Sequence, residues 1–136
     1  MSDIYEGGCL CGAVRYRAQG PLRPIIACHC QQCRRASGHH TAATSTTRNK
    51  IEIKGAPVWY GSSPGHQRGF CGICGSQIFW DRTGLATLSI FAGSLDDPKE
   101  LSLAGHIFCA DKGAYYEITD DLPKAQASDP VLTTQG

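Results

Sequence analysis

The sequence predicts an all-β domain of short strands, and three observations predict it. Apolar and polar residues alternate over short runs, β-branched and aromatic residues concentrate in those runs, and glycine- and proline-rich turns separate them. In chain order, residues 13–18 place Val14 and Tyr16 on one side and Arg15 and Arg17 on the other, as a half-buried strand does. Ile51-Glu52-Ile53-Lys54 repeats the pattern. Residues 58–60, 77–80, 86–91 and 106–108 are short and rich in side chains that suit a pleated surface. Turn clusters fall at 54–57, 61–65 and 95–98. One short helix is expected over 33–38, stopping at Gly38. Beyond Pro123 bulky apolar residues thin out, which predicts a single domain over 1–123 and a loosely held tail over 124–136.

Composition narrows the function classes. A chain of 136 residues with 41% hydrophobic residues and a mean hydropathy of -0.23 suits one domain with a core and excludes wholesale disorder. Thirteen Lys+Arg against twelve Asp+Glu, with no basic stripe, argues against a nucleic-acid binder driven by phosphate contacts. No apolar run approaches the roughly 20 residues needed to span a bilayer. Residues 1–8 have neither a basic start nor an apolar stretch, so no secretory leader is read and the expected compartment is the cytoplasm. There thiols stay reduced, and eight cysteines in so short a chain point to metal before disulfides.

Seven of those cysteines fall in three tight groups: Cys9-Leu10-Cys11, Cys28-His29-Cys30-Gln31-Gln32-Cys33 and Cys71-Gly72-Ile73-Cys74. Zinc takes four tetrahedral ligands, and Cys-x-Cys or Cys-x-x-Cys turns supply two at a time. Gly75 after Cys74, and Gly12 after Cys11, are expected to take a positive φ so that the backbone folds around the metal. Cys9, Cys11, Cys71 and Cys74 can close one Cys₄ site that holds the fold together, leaving Cys28, Cys30 and Cys33 for a second metal with an open position. Spacing alone permits other groupings. With seven thiolates and two Zn²⁺ the formal charge moves from +1 to about −2. Cys109 stands outside the groups, in an apolar run, and reads as a buried small hydrophobe.

These residues carry a resemblance. Residues 8–16 and 28–38, then Trp59-Tyr60-Gly61-Ser62-Ser63, residues 68–76 and Gly93-Ser94-Leu95-Asp96-Asp97-Pro98, resemble the GFA family in order and in register. That family is named for glutathione-dependent formaldehyde-activating enzyme and includes centromere protein V. The resemblance implies a β-tent of stacked antiparallel sheets stapled by zinc. It implies two Zn²⁺ per chain, with Cys9, Cys11, Cys71 and Cys74 structural and Cys28, Cys30 and Cys33 at the catalytic metal. It also implies carbon–sulfur lyase activity on S-hydroxymethylglutathione or a related adduct. The chain is shorter than the founding enzyme, so loops that grip glutathione are expected to be reduced.

The expected partner is therefore a small-molecule thiol such as glutathione, with no nucleic acid and no membrane, and exposed sheet edges leave a homodimer open. Accessory candidates are weaker. Arg34 and Arg35 follow Cys33 and suit thiolates or a substrate carboxylate, or are simply a solvated pair. His29 lies between two ligands as acid/base or bystander; His39, His40, His66 and His106 pose the same question. Arg68 and Ser76 flank the Cys71–Cys74 knuckle and are expected to hydrogen-bond within it. Two other functions compete: a non-catalytic zinc-binding protein-interaction module, which needs a fourth protein ligand on the triplet, and thiol redox chemistry, which needs a low-pKa Cys109.

Overall fold

Alternation resolves into strands that pair as two sheets, in a computed structural model that describes residues 3–98 and 101–133. β1 (Ile4–Gly8), β2 (Arg15–Gln19) and β5 (Ile51–Lys54) make a small antiparallel sheet in the order β1-β2-β5. Tyr16 and Ala18 are buried and Arg17 is exposed, so the two sides of this strand divide as the sequence predicts. The Tyr16 ring meets Phe79 of the other sheet edge-on at 5.4 Å.

The larger sheet comprises β3 (Ile25–Cys28), β4 (Thr41–Thr47), β6 (Val58–Ser63), β7 (His66–Phe70), β8 (Gln77–Arg82), β9 (Thr87–Phe91) and β10 (Leu103–Ile107), in the order β10-β3-β4-β9-β8-β7-β6. The protein is therefore mostly β-sheet, as expected, with a few short helices in place of the one that the sequence predicts. One pair departs from the antiparallel rule: β10 lies parallel to β3. Far apart in sequence, these two strands are joined by no hairpin that would dictate direction. Both sheets share one core, in which Val14 and Tyr16 meet Ile78, Phe79, Leu88 and Ile90, and Cys9 and Cys71 belong to it.

The helix near the cysteines, α1 (Gln31–Ser37), starts two residues earlier than the sequence predicts. Cys30 is its N-cap, with Sγ accepting from the Cys33 amide at 3.3 Å. Gly38 ends it at φ 90°, its amide returning to the Arg34 carbonyl at 2.9 Å.

The segment after Pro123, expected to be loosely held, is pinned as far as it is described. The His106 amide donates to Pro123 and the Ala125 amide donates to His106, both at 2.9 Å, while Phe108 and Cys109 donate to Ala127 and Ala125 at 3.0 Å. A short helix α2 (Pro130–Thr133) then buries Leu132, whose methyls lie where a side chain on Gly105 would stand. Backbone bonding along the β10 edge holds this stretch, a cause that side-chain composition does not display. Residues 134–136 of the expected tail lie outside the described residues. No helix among the described residues is long and apolar enough to cross a membrane.

Candidate metal centres

Cys9 and Cys11 occupy the turn that leaves β1, and Cys71 and Cys74 the turn that leaves β7. Each turn depends on its glycine. Gly12 sits at φ 84° with its amide on the Cys9 carbonyl at 3.3 Å, and Gly75 at φ 79° with its amide on Cys71 at 2.8 Å. The folded-back chain aims amides at sulfur: Val14 at Cys9 Sγ, 3.2 Å, and Ile73 and Cys74 at Cys71 Sγ, 3.4 and 3.5 Å. Ser76 ties the two turns, accepting from the Leu10 amide at 3.0 Å and lying 3.1 Å from Cys74 Sγ. Its hydroxyl and backbone hold the Cys74 thiol down at about 5.

The four sulfurs lie within 4.8 Å of one another. Cys9–Cys11 and Cys11–Cys71 are each 3.7 Å apart, and a tetrahedron with Zn–S bonds of about 2.3 Å has edges of about 3.8 Å. The residues fit a tetrahedral thiolate metal.

Cys28, Cys30 and Cys33 form a second cluster, their sulfurs also within 4.8 Å of one another. Cys28 ends β3, Cys30 caps α1 and Cys33 is buried in its first turn. Their protons divide unequally. The Cys28 and Cys30 thiols, helped by Thr41 and Arg68, pull Cys33 down to about 2, and the same sulfur contacts push Cys28 up. A divalent cation removes that conflict, because it lets all three sulfurs carry charge together. Among the described residues, no histidine or carboxylate joins these three sulfurs in the cluster. Three thiolates leave a four-coordinate metal one ligand short.

His29, between two of those cysteines, is 1% exposed and fully engaged. Its Nδ1 lies 2.5 Å from the Tyr116 hydroxyl and its Nε2 lies 2.9 Å from His106 Nδ1. His106 Nε2 in turn lies 2.9 Å from Asp120. For neutral rings one direction follows: Tyr116 O–H donates to His29, His29 N–H to His106, and His106 N–H to the Asp120 carboxylate. Burial, with His40, His106 and His39 nearby, lowers His29 to about 4. His40 packs on His29 at 4.7 Å, and His39 holds the Tyr115 hydroxyl at 2.6 Å. His66 stands apart, its Nδ1 donating to Pro64 at 2.9 Å.

Some expectations change here. Arg68, expected within the Cys71–Cys74 knuckle, reaches away from it and donates through Nη2 to Cys33 Sγ at 3.5 Å. The alternation of β7 turns its side chain toward α1, whereas Ser76 does remain in the knuckle. Cys109 is half-buried and burial pushes its thiol up, opposite to the shift a redox nucleophile needs. Tyr115, Tyr116 and Asp120 had no role in the sequence reading, because no local spacing links them to the histidines.

Comparison with known proteins agrees with this architecture. Residues 4–111 match the family model described as glutathione-dependent formaldehyde-activating enzyme. An uncharacterized lyase of Schizosaccharomyces pombe is 32% identical over 80 residues, and the match spans 58% of each chain. A crystal structure of a Rhodobacter sphaeroides protein shares the fold with a TM-score of 0.56 and 21% identity, over 73% of this chain and 99% of that one.

Proposed function

This chain belongs to the glutathione-dependent formaldehyde-activating family, and from that premise we propose that it is a zinc-dependent carbon–sulfur lyase acting on a thiol–aldehyde adduct such as S-hydroxymethylglutathione. The observation that carries the reading is the three-sulfur cluster beside a histidine that is already fully hydrogen-bonded and so not free to become a fourth ligand. Cys28, Cys30 and Cys33 would hold the catalytic zinc, and Cys9, Cys11, Cys71 and Cys74 the structural one. A thiol bound to such a metal is ionised near neutral pH, which is the chemistry the metal supplies.

The rest falls to the protein. In the lyase direction the carbon–sulfur bond breaks with its electron pair moving to sulfur, and the adduct hydroxyl loses a proton as formaldehyde leaves. Tyr116 Oη takes that proton while passing its own to His29 Nδ1, and the His29 Nε2 proton moves to His106 Nδ1. His29 ends neutral in its other tautomer, and the charge rests on His106 against Asp120. Arg68 offsets the negative charge that three thiolates concentrate at Cys33. Because thiols add to formaldehyde readily, positioning and proton handling are sufficient assistance. On this reading the partner is a small thiol and the compartment a reducing one.

Exchange between glutathione, formaldehyde and their adduct, followed by NMR, tests the proposal. The zinc-loaded protein should accelerate exchange and Cys30→Ser should not; unchanged exchange with both metals bound refutes it.

A further inference from the structure

We infer that the cavity between α1 and the β6–β8 end of the large sheet is a carboxylate subsite. It selects thiols whose carboxylate neighbours an N–H group, and Arg68 is its specificity-determining residue. The identity of the thiol as substrate rests on the lyase reading; the subsite rests on the cavity itself.

The cavity has a volume of about 360 Å³ and lies between Gln32 and Arg35 of α1 and Ser62, Arg68 and Gln77 of the strands. Arg68 is only 4% exposed. Its Nη2 gives one of its two N–H bonds to Cys33, and Nε and Nη1 have no hydrogen-bond partner among the described residues. Gln77 Oε1 and Ser62 Oγ, in the same cavity, are also buried without partners. Buried polar atoms are nearly always paired, so four orphans on three residues around one space mark a place made for something else.

The orphans describe the occupant. Two cations and no acid line the space, so it takes an anion. Each two-donor edge of a guanidinium joins Nη2 to either Nε or Nη1. The edge turned away from Cys33 therefore offers two parallel N–H bonds at the spacing of two carboxylate oxygens. Gln77 Oε1 accepts, so the group beside that carboxylate brings a donor N–H. Since Arg68 also touches Cys33, the carboxylate lies close to the reacting sulfur. That matches the C-terminal carboxylate of a cysteinylglycine unit, with the glycine amide as donor, and not the remote glutamyl end of glutathione.

Calorimetry with S-methylglutathione, whose blocked sulfur keeps it off the metal, tests this without any turnover. The free acid should bind wild-type protein at least about tenfold more tightly than its glycine monoethyl ester. Arg68→Lys, checked for fold by its melting temperature, should shrink that ratio. Equal binding of acid and ester, or no binding of either at millimolar concentration, overturns the inference and leaves the orphans to ordered water. The two readings fail separately. Acid-selective binding without accelerated exchange sinks the lyase and keeps the subsite, whereas equal turnover of glutathione and its ester keeps the lyase and sinks the subsite.

Discussion

The two sulfur clusters use the same ligand atoms yet are anchored in opposite ways. Cys9 and Cys71 are part of the hydrophobic core and Cys74 packs against it, while none of Cys28, Cys30 and Cys33 joins that core. The first cluster links the end of β1 in the small sheet to the end of β7 in the large one, bridging 60 residues between Cys11 and Cys71. The second comes from one short run between β3 and α1. A crosslink across about 60 residues removes about 4 kcal/mol of unfolded-chain entropy, and one across about six removes about 2. On the proposed reading, sulfur chemistry alone does not decide which metal would build and which would react; the attachment of the chain does.

Replacing one core sulfur tests that contrast most severely. Cys71→Ser should cost 4 kcal/mol or more by the same order of estimate, most of what a small domain has. Circular dichroism should show it largely unfolded at 25 °C, and a cooperative native melt would break the contrast. Deleting residues 124–133 and beyond removes the bonds along β10 and the Leu132 anchor, at about 3 kcal/mol. Because Ile107 on β10 pairs with Cys28, this deletion should release metal from the triplet before the four-sulfur site. Metal retention by both sites against a chelator would show that the β10 edge does not support the triplet.

Cys30→Ser should abolish exchange while costing about 2 kcal/mol, seen as a melting point lower by about 5–10 °C. A mutant as unfolded as Cys71→Ser would erase the division of labour. Tyr116→Phe leaves His29 Nδ1 buried without its donor, a stability loss of about 1–3 kcal/mol. It should slow exchange by about a hundredfold while both metals stay bound; a wild-type rate would remove Tyr116 from the proton path. Smallest is Gly75→Ala, where a side chain meets nothing within 4 Å and only the positive φ resists it. About 1–2 kcal/mol is expected from the chemical denaturation midpoint.

Legibility in the sequence follows the range of each interaction. Alternation in Ile51–Lys54, the glycine that stops α1 and the two positive-φ glycines of the sulfur turns are local, and each was readable. β4 (Thr41–Thr47) was not, because Thr, Ala and Ser carry no hydrophobic signal, although Thr44 is wholly buried and its hydroxyl donates to Arg23. β7 reads as polar, and it is held as a strand by pairing on both sides. The cysteine groups were legible because Cys-x-Cys and Cys-x-x-Cys spacings are local, whereas their assembly across 60 residues is not. The Tyr116–His29–His106 chain joins residues 87 and 77 positions apart, and only the fold brings them together.

Cobalt substitution tests the central claim most directly. With two Co²⁺ bound per chain, added glutathione should alter the thiolate charge-transfer bands of one ion and leave the other unchanged. The responsive ion should be the one missing from Cys30→Ser. A spectrum that ignores glutathione while both ions remain bound would contradict the account.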